Sequence, residues 1–343
     1  QYNFFNRWKY QSKKFMSQFG FRGVYDELEA GQNRITNENR LFKIGVTTKQ
    51  FEVFNKNGFL FPEKKYKSIG IIQNFKYHSH QSNYGDKKFN AEQTSWYFNS
   101  IYQTIIGNTN NTIKFGGSMQ YDLYDKNYND SLFGREEVVP GAFAEYTYTG
   151  NKSALVLGAR GDYHNMYGAF FTPRLHYKYN FTQLSAWRFS VGRGFRTANP
   201  FIESASVMAS SRNVVTEELN PEIAWNYGTS LTHNFELFKK EMTFSTDYYY
   251  TDFENQVVID MENPNEVVFY NLDGKSFSHS LQVELHVRIT EQLELRTAYK
   301  FYDIQTDYKS GRKTKPLVPT NRAFMNIAYA TNFDKWKFDL TGQ

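Results

Sequence analysis

Apolar and polar residues change places at almost every step over residues 277–302. Phe277, His279, Leu281, Val283, Leu285, Val287 and Ile289 form one set, and Ser278, Ser280, Gln282, Glu284, His286 and Arg288 the other. Past Thr290 and Glu291 the alternation resumes, with Leu293, Leu295, Thr297, Tyr299 and Phe301 against Gln292, Glu294, Arg296, Ala298, Lys300 and Tyr302. A period of two puts successive side chains on opposite faces, so the stretch predicts a two-strand hairpin with one apolar face and one charged face. Each strand has about twelve residues, enough to cross a bilayer at a tilt, which takes roughly 9–11.

The pattern recurs along the chain. Ile223, Trp225, Tyr227, Thr229 and Leu231 alternate with polar neighbours, as do Met242, Phe244, Thr246, Tyr248 and Tyr250, then Leu155, Leu157 and Ala159, and Ala323, Met325, Ile327 and Tyr329. Connections of two lengths take turns. Short ones fall near Gly150, 180–183, 238–240, 290–292 and 332–335, with weaker signals near 11–13, 62–65 and 108–111. Between them lie polar stretches rich in Asn, Asp, Ser, Gly and Lys at 24–40, 79–90, 122–137, 197–220, 252–275 and 303–320, and a shorter one at 161–169. Short turns on one side and long loops on the other are the layout of an outer-membrane barrel. The expected fold is all-β: an antiparallel up-and-down transmembrane β-barrel, with about sixteen strands here. A soluble propeller or jelly roll would show shorter strands or blade signatures, which are missing.

Composition sharpens this. Aromatics make up 18% of the chain, an excess that suits the aromatic girdles at the two membrane interfaces. The mean hydropathy of −0.66 resembles that of a soluble protein, yet half of each barrel strand faces water. No apolar run of about 18 residues could form a spanning helix. The absence of cysteine rules out disulfides, thiolate metal sites and cysteine nucleophiles. A net charge of +5 carried by scattered Lys and Arg gives no stripe for nucleic acid. The chain starts at Gln1 without a leader pattern and stops inside an alternating run, so sequence is expected on both sides.

The segment from 191 reads VGRGFRTANPFIE, then a polar loop, then EELNPEIAWNYG. Gly194, Phe195, Arg196 and Pro200, followed by Asn220, Pro221, Glu222, Asn226 and Gly228, resemble TonB-dependent outer-membrane receptors. The runs YNLDGKSFSHSLQVEL and PLVPTNRAFMNIAY resemble the last third of such barrels, particularly those of Bacteroidetes-type bacteria. The resemblance implies that residues 1–343 are part of a barrel of about 22 strands. It implies a Gram-negative outer membrane, an N-terminal plug domain outside this sequence, and energy from TonB, ExbB and ExbD. The cargo would be a scarce, bulky ligand: a ferric siderophore, cobalamin, haem, another metal chelate or an oligosaccharide. The alternative class is a passive porin, with 197–220 or 252–275 folded in as a constriction loop.

Candidate residues follow from parity. With Trp187, Phe189, Val191 and Phe195 facing lipid, Arg188, Gly192, Gly194 and Arg196 face the lumen, which the resemblance implies is the side facing the plug. The glycines thin the wall so that something can pack close inside. His286 and Arg288 share that lumen face, whereas His233 and His279 point outward. Arg196 has two readings, a lumen salt bridge or a ligand contact. The loop aromatics Phe201, Tyr124, Tyr128 and Phe133 are expected ligand contacts, since aromatic faces suit sugars and catechols, against loop-to-loop packing. His78 and His80, i and i+2 on one strand face, could share a metal ion with other loops. No cofactor is expected. No HExxH, GxSxG, Walker loop or zinc spacing appears. Asp162 with His164, or Asp303 with Asp307, carry no spacing that marks an enzyme.

Overall fold

A computed structural model describes residues 1–32, 41–315 and 318–343. Pro316 and Leu317 of the PLVPTNRAFMNIAY run, and residues 33–40 of the 24–40 stretch, lie outside the described residues. The strands run in order β1 (Tyr2–Gln11), β2 (Phe15–Gly31), β3 (Lys43–Leu60), β4 (Ser68–Tyr84), β5 (Lys87–Ile106), β6 (Asn108–Tyr128) and β7 (Ser131–Thr149). Next come β8 (Ser153–His164), β9 (Gly168–Phe171), β10 (Arg174–Asn180) and β11 (Ser185–Arg196). A short helix α1 (Pro200–Glu203) and a 3₁₀ turn (Ala205–Ala209) lead to β12 (Asn213–Thr216). Then follow β13 (Glu222–Leu237), β14 (Lys240–Asn255), β15 (Val257–Asp260), β16 (Glu266–Asn271) and β17 (Ser276–Arg288). The last are β18 (Leu293–Tyr308), β19 (Gly311–Thr314), β20 (Asn321–Ala330) and β21 (Lys337–Gly342).

Eighteen of these strands form one antiparallel sheet, and β12, β16 and β15 form a second. In the large sheet β9 and β19 are four-residue pieces, so the other sixteen carry the up-and-down meander, as the alternation predicts. The sheet is open among the described residues: β1 pairs with β2 and β21 with β20.

Register shows why the sheet forms. Across β3 to β7 one rung reads Val53, Phe75, Trp96, Tyr121, Val138. Across β10 to β18 another reads Tyr177, Phe189, Thr229, Tyr248, Leu281, Phe301. This is the lipid face, and slipping any strand by one residue would turn its apolar set into the lumen. Polar atoms on it are paired: Trp187 Nε1 donates to Thr229 Oγ1 at 2.7 Å, and Tyr248 Oη lies 2.8 Å from His279 Nδ1. His233 stacks on Phe235, completing the outward placement expected of His233 and His279.

The opposite face carries charge. Lys114 Nζ lies 3.0 Å from Glu145 Oε1, and Arg174 also reaches Glu145. Gly158 stands between Glu145 and Arg174 in the register. A Cβ there would sit 2.8 Å from Arg174 Nε, so the missing side chain lets the guanidinium cross the strand.

The polar stretches at 79–90 and 122–137 are not loops. They continue the strands to tight turns at Gly85–Asp86 and Asn129–Asp130. Asn129 and Asp130 take φ of 46° and 69°, the left-handed pair of a primed hairpin turn. At about 3.3 Å per residue and a tilt near 45°, the 21 residues of β6 rise about 50 Å, against a hydrocarbon core of about 30 Å. The upper parts of β5, β6 and β7 therefore stand above the membrane as a tall wall. Its outer face is wet and its inner face mixes polar groups with the residues under the cap, which removes the lipid-facing apolar face that strand alternation shows, while the ladder hydrogen bonds persist. The stretches at 161–169 and 303–320 likewise hold strand, in β8 and β9 and in β18 and β19.

Candidate functional site

The short turns mark the periplasmic side, so the other end is the extracellular mouth. There the segments after β11 and β14 fold over the inside of the wall. β12 pairs in parallel with β16, and β15 pairs with β16 from the other side, making a small cap sheet. Lys87 Nζ, at the top of β5, donates to the carbonyls of Ser210 and Arg212 at 2.5 Å each. Lys309 and Lys313, from the β18–β19 hairpin, pair with Glu217 and Glu262 of the cap.

Beneath the cap lies the one cluster of buried hydrophobics among the described residues, formed by Tyr84, Phe89, Ala91, Phe201, Val207, Met208, Val267 and Phe269. Phe201 is its centre. Its ring centroid lies 5.4 Å from Phe89, 5.1 Å from Tyr128, 5.3 Å from Phe133 and 6.3 Å from Phe269. Burial of such a ring stabilises the closed loop by roughly 1.5–3 kcal/mol. Three of the four expected ligand-contact aromatics thus meet in one socket, packed loop to wall. Tyr124 stands beside them, with the Arg135 guanidinium and the Lys126 ammonium 4.9 and 5.0 Å from its ring centre.

A polar layer lines the floor. Lys126 Nζ and Arg135 Nη2 both donate to Asn199 Oδ1, at 2.8 and 2.9 Å, and Arg135 Nη1 donates to the Ala198 carbonyl at 3.2 Å. Arg135 Nε lies 2.6 Å from Glu137 Oε1 but without hydrogen-bond alignment, so this is a charge contact. His164 Nε2 is 3.7 Å from Glu137 Oε2. Burial pushes the Tyr124 hydroxyl up to about 12, helped by the Asp122 and Glu137 carboxylates, and pulls the Lys126 ammonium down to about 8, helped by Arg135. Burial also raises Glu137 and lowers His164. These groups sit above the spanning part of β6, β7 and β8.

The remaining candidates are dispersed. Arg196 pairs with Glu222, its Nε at 2.9 Å, and with Glu203 at 3.0 Å, the salt-bridge reading of that residue. Arg188 pairs with Lys178 and Ser230 in register on the lumen face. A Cβ on Gly194 would meet nothing within 4 Å among the described residues, and one on Gly192 only ordinary contacts with Pro173 and Arg174 at 3.6 Å. His286 and Arg288 share Glu294, at 3.4 and 3.5 Å, near the periplasmic turn. His78 faces Gln50 at 3.3 Å and His80 faces Ser82 at 3.1 Å. No third metal-ligating side chain joins that pair among the described residues. Asp162 is held by Arg160, Asp307 by Arg312, and Asp303 by Gln305.

Lys126, Arg135, Glu137, Asn199, Phe89 and Phe269 did not stand out in the sequence. The available signal was the Asn-Asp pair at 129–130: read as a hairpin turn, it puts Tyr124, Lys126 and Tyr128 on one face opposite Phe133, Arg135 and Glu137.

A lipid-facing apolar belt, a charged inner wall and a cap folded over the extracellular mouth define an integral outer-membrane β-barrel. The sequence matches the family model TonB dependent receptor-like, beta-barrel over residues 1–343, and the chain belongs to that family. No curated protein matches it significantly. Among solved structures, P. aeruginosa FpvA bound to heterologous pyoverdines aligns at TM-score 0.69 and 12% identity, over 98% of this chain and 53% of that one. The alcaligin outer-membrane receptor FauA from Bordetella pertussis aligns at 0.68 and 10%, over 99% and 59%. The outer-membrane transporter YddB from Escherichia coli aligns at 0.67 and 11%, over 95% and 54%. The chain spans between half and three fifths of the length of these structures, and at such identities the likeness is one of fold.

Proposed function

We propose that this chain is the barrel of an energised receptor that takes a scarce, bulky ligand across the outer membrane. The observation that carries the reading is the built cap: an aromatic socket over a cationic floor, closed by a chain segment, at the extracellular end of a barrel of this family. Among the ligand classes a ferric siderophore fits best, because catechol and hydroxamate chelates combine flat groups with acceptor oxygens. Cobalamin, other metal chelates and oligosaccharides are the further members of the class. The reading places a plug domain in the part of the protein ahead of Gln1, against the lumen face that holds Arg188, Gly192 and Gly194. It assigns the energy to TonB with ExbB and ExbD, and the source to Bacteroidetes-type bacteria.

A passive porin is the second reading, favoured by one feature: the 197–220 segment folds inward over the wall, as a constriction loop does. The N-terminal sequence and intact mass of the native protein from outer-membrane fractions separate the two. A plug-sized domain before Gln1 with a TonB-contacting segment is the expected result. A leader followed only by further strands overturns the receptor reading.

A further inference from the structure

Asn199 stands at the N-cap position of α1, where an Asn side chain ordinarily bonds the helix's free backbone N–H groups. It makes no such bond here. Its Oδ1 is turned instead to Lys126 and Arg135. Two cationic donors therefore converge on one neutral amide oxygen, although a carboxylate or phenolate would satisfy them with stronger, charge-assisted bonds. The layer around them is incompletely paired: Arg135 Nε, Glu137 Oε1 and His164 Nε2 are buried without an aligned partner, and the His164 side chain is 1% exposed. Two residues on, Phe201 puts a benzene ring between Phe89, Tyr128 and Phe133. The segment 198–201 thus presents a ring and an acceptor oxygen to a site lined for both.

We infer that residues 198–201 occupy, in place of cargo, a binding site for an aromatic ring bearing an acidic oxygen, and that such a ligand displaces them. The inference rests on the receptor reading and assigns its ligand chemistry. The ligand's ring replaces Phe201 in the socket, and its oxygen replaces Asn199 Oδ1 between Lys126 and Arg135. The segment then competes with the ligand, and apparent affinity is reduced by the fraction of molecules in which the socket is filled from within.

The test is equilibrium binding of 2,3-dihydroxybenzoate to the full-length protein, purified from outer membranes, with cyclohexanecarboxylate as the non-aromatic control. Phe201→Ala empties the socket and should bind dihydroxybenzoate about tenfold more tightly than the wild type. Asn199→Asp puts a carboxylate in place of the neutral amide oxygen between Lys126 and Arg135; it should hold the segment down and weaken the probe severalfold. Damage to the loop would not move the two variants in opposite directions, and gel mobility before and after heating verifies that both keep the barrel. Equal or weaker binding by Phe201→Ala, no weakening by Asn199→Asp, or an equal gain for cyclohexanecarboxylate overturns the inference. The assay needs neither TonB nor a plug, so its failure is distinct from failure of the receptor reading.

Discussion

The part of the chain inside the bilayer and the part above it are built by different rules. In the spanning band each strand has one apolar face turned to lipid, and its inner face carries ion pairs such as Lys114–Glu145 and Arg296–Glu284. Among the described residues no buried apolar cluster lies there, because the apolar solvent is outside. Above the membrane the relation inverts: the wall is wet on the outside, and the buried apolar cluster lies inside, between β5, β6, β7 and the cap. The same strands serve both regions, so β6 changes its chemistry along its length while its ladder stays continuous. The backbone pairing is common to both regions, and the surrounding solvent decides which face must be apolar.

Variants in the two regions should therefore fail differently. The largest effect is expected from Phe201→Ala, a loss of about 3–5 kcal/mol in the closed cap if the socket does not collapse. Faster hydrogen exchange across 197–216 with an unchanged barrel is the expected outcome; protection lost throughout the strands would mean that cap and barrel are one unit. Next is Leu231→Arg, seven residues above the turn that joins β13 and β14, near mid-membrane. It should cost about 2–4 kcal/mol of barrel stability in urea titrations in lipid vesicles and leave cap exchange unchanged.

A pH titration sharpens the contrast without mutation. Lys126 falls to about 8 in the folded cap from 10.5, so below about 8 the cap carries the cost of a buried charge. Between about 8 and 10.5 the folded state binds fewer protons than the open one, and the cap gains stability as pH rises. Tyr124 works the other way: raised from 10.0 to about 12, it makes the cap lose stability over that interval. Resistance of the 197–220 segment to limited proteolysis should rise above pH 8 and decline beyond about pH 10. A flat profile would mean that Lys126 is hydrated. The smallest effect belongs to Arg196→Ala. Its guanidinium is more than half exposed, so the loss should stay under about 1 kcal/mol. The barrel should remain inserted; under the receptor reading, a drop in ligand uptake or plug retention would favour the ligand or plug contact over the salt bridge as the role of Arg196.

Much of the fold was legible where one solvent lies on each side of a strand. The β17–β18 hairpin read from Phe277 to Tyr302 has the expected pairing, Leu285 opposite Thr297 and Leu281 opposite Phe301. The short turns were legible too, including the weaker ones near 62–65 and 108–111. The tall wall was not. Tyr121 to Tyr128 and Leu132 to Glu137 carry polar residues on both faces, and composition alone does not separate such a strand from a loop. For the same reason Tyr124, Tyr128, Phe133 and Phe201 could be picked out as aromatics near the mouth, while their meeting in one socket could not.

By itself the sequence determined the class, the strand count in this stretch, the face each spanning residue presents and the side on which long connections lie. A period of two against two solvents leaves one solution, and every rung repeats it. Only the tertiary structure decided that the 197–220 segment crosses to the wall, that Asn199 rather than a carboxylate meets Lys126 and Arg135, and that Arg196 is tied to Glu222 and Glu203. The contacts of that segment with Lys87, Lys126 and Arg135 join residues 63 to 125 positions apart at the mouth, where no periodicity constrains the chain and side-chain packing alone selects the conformation.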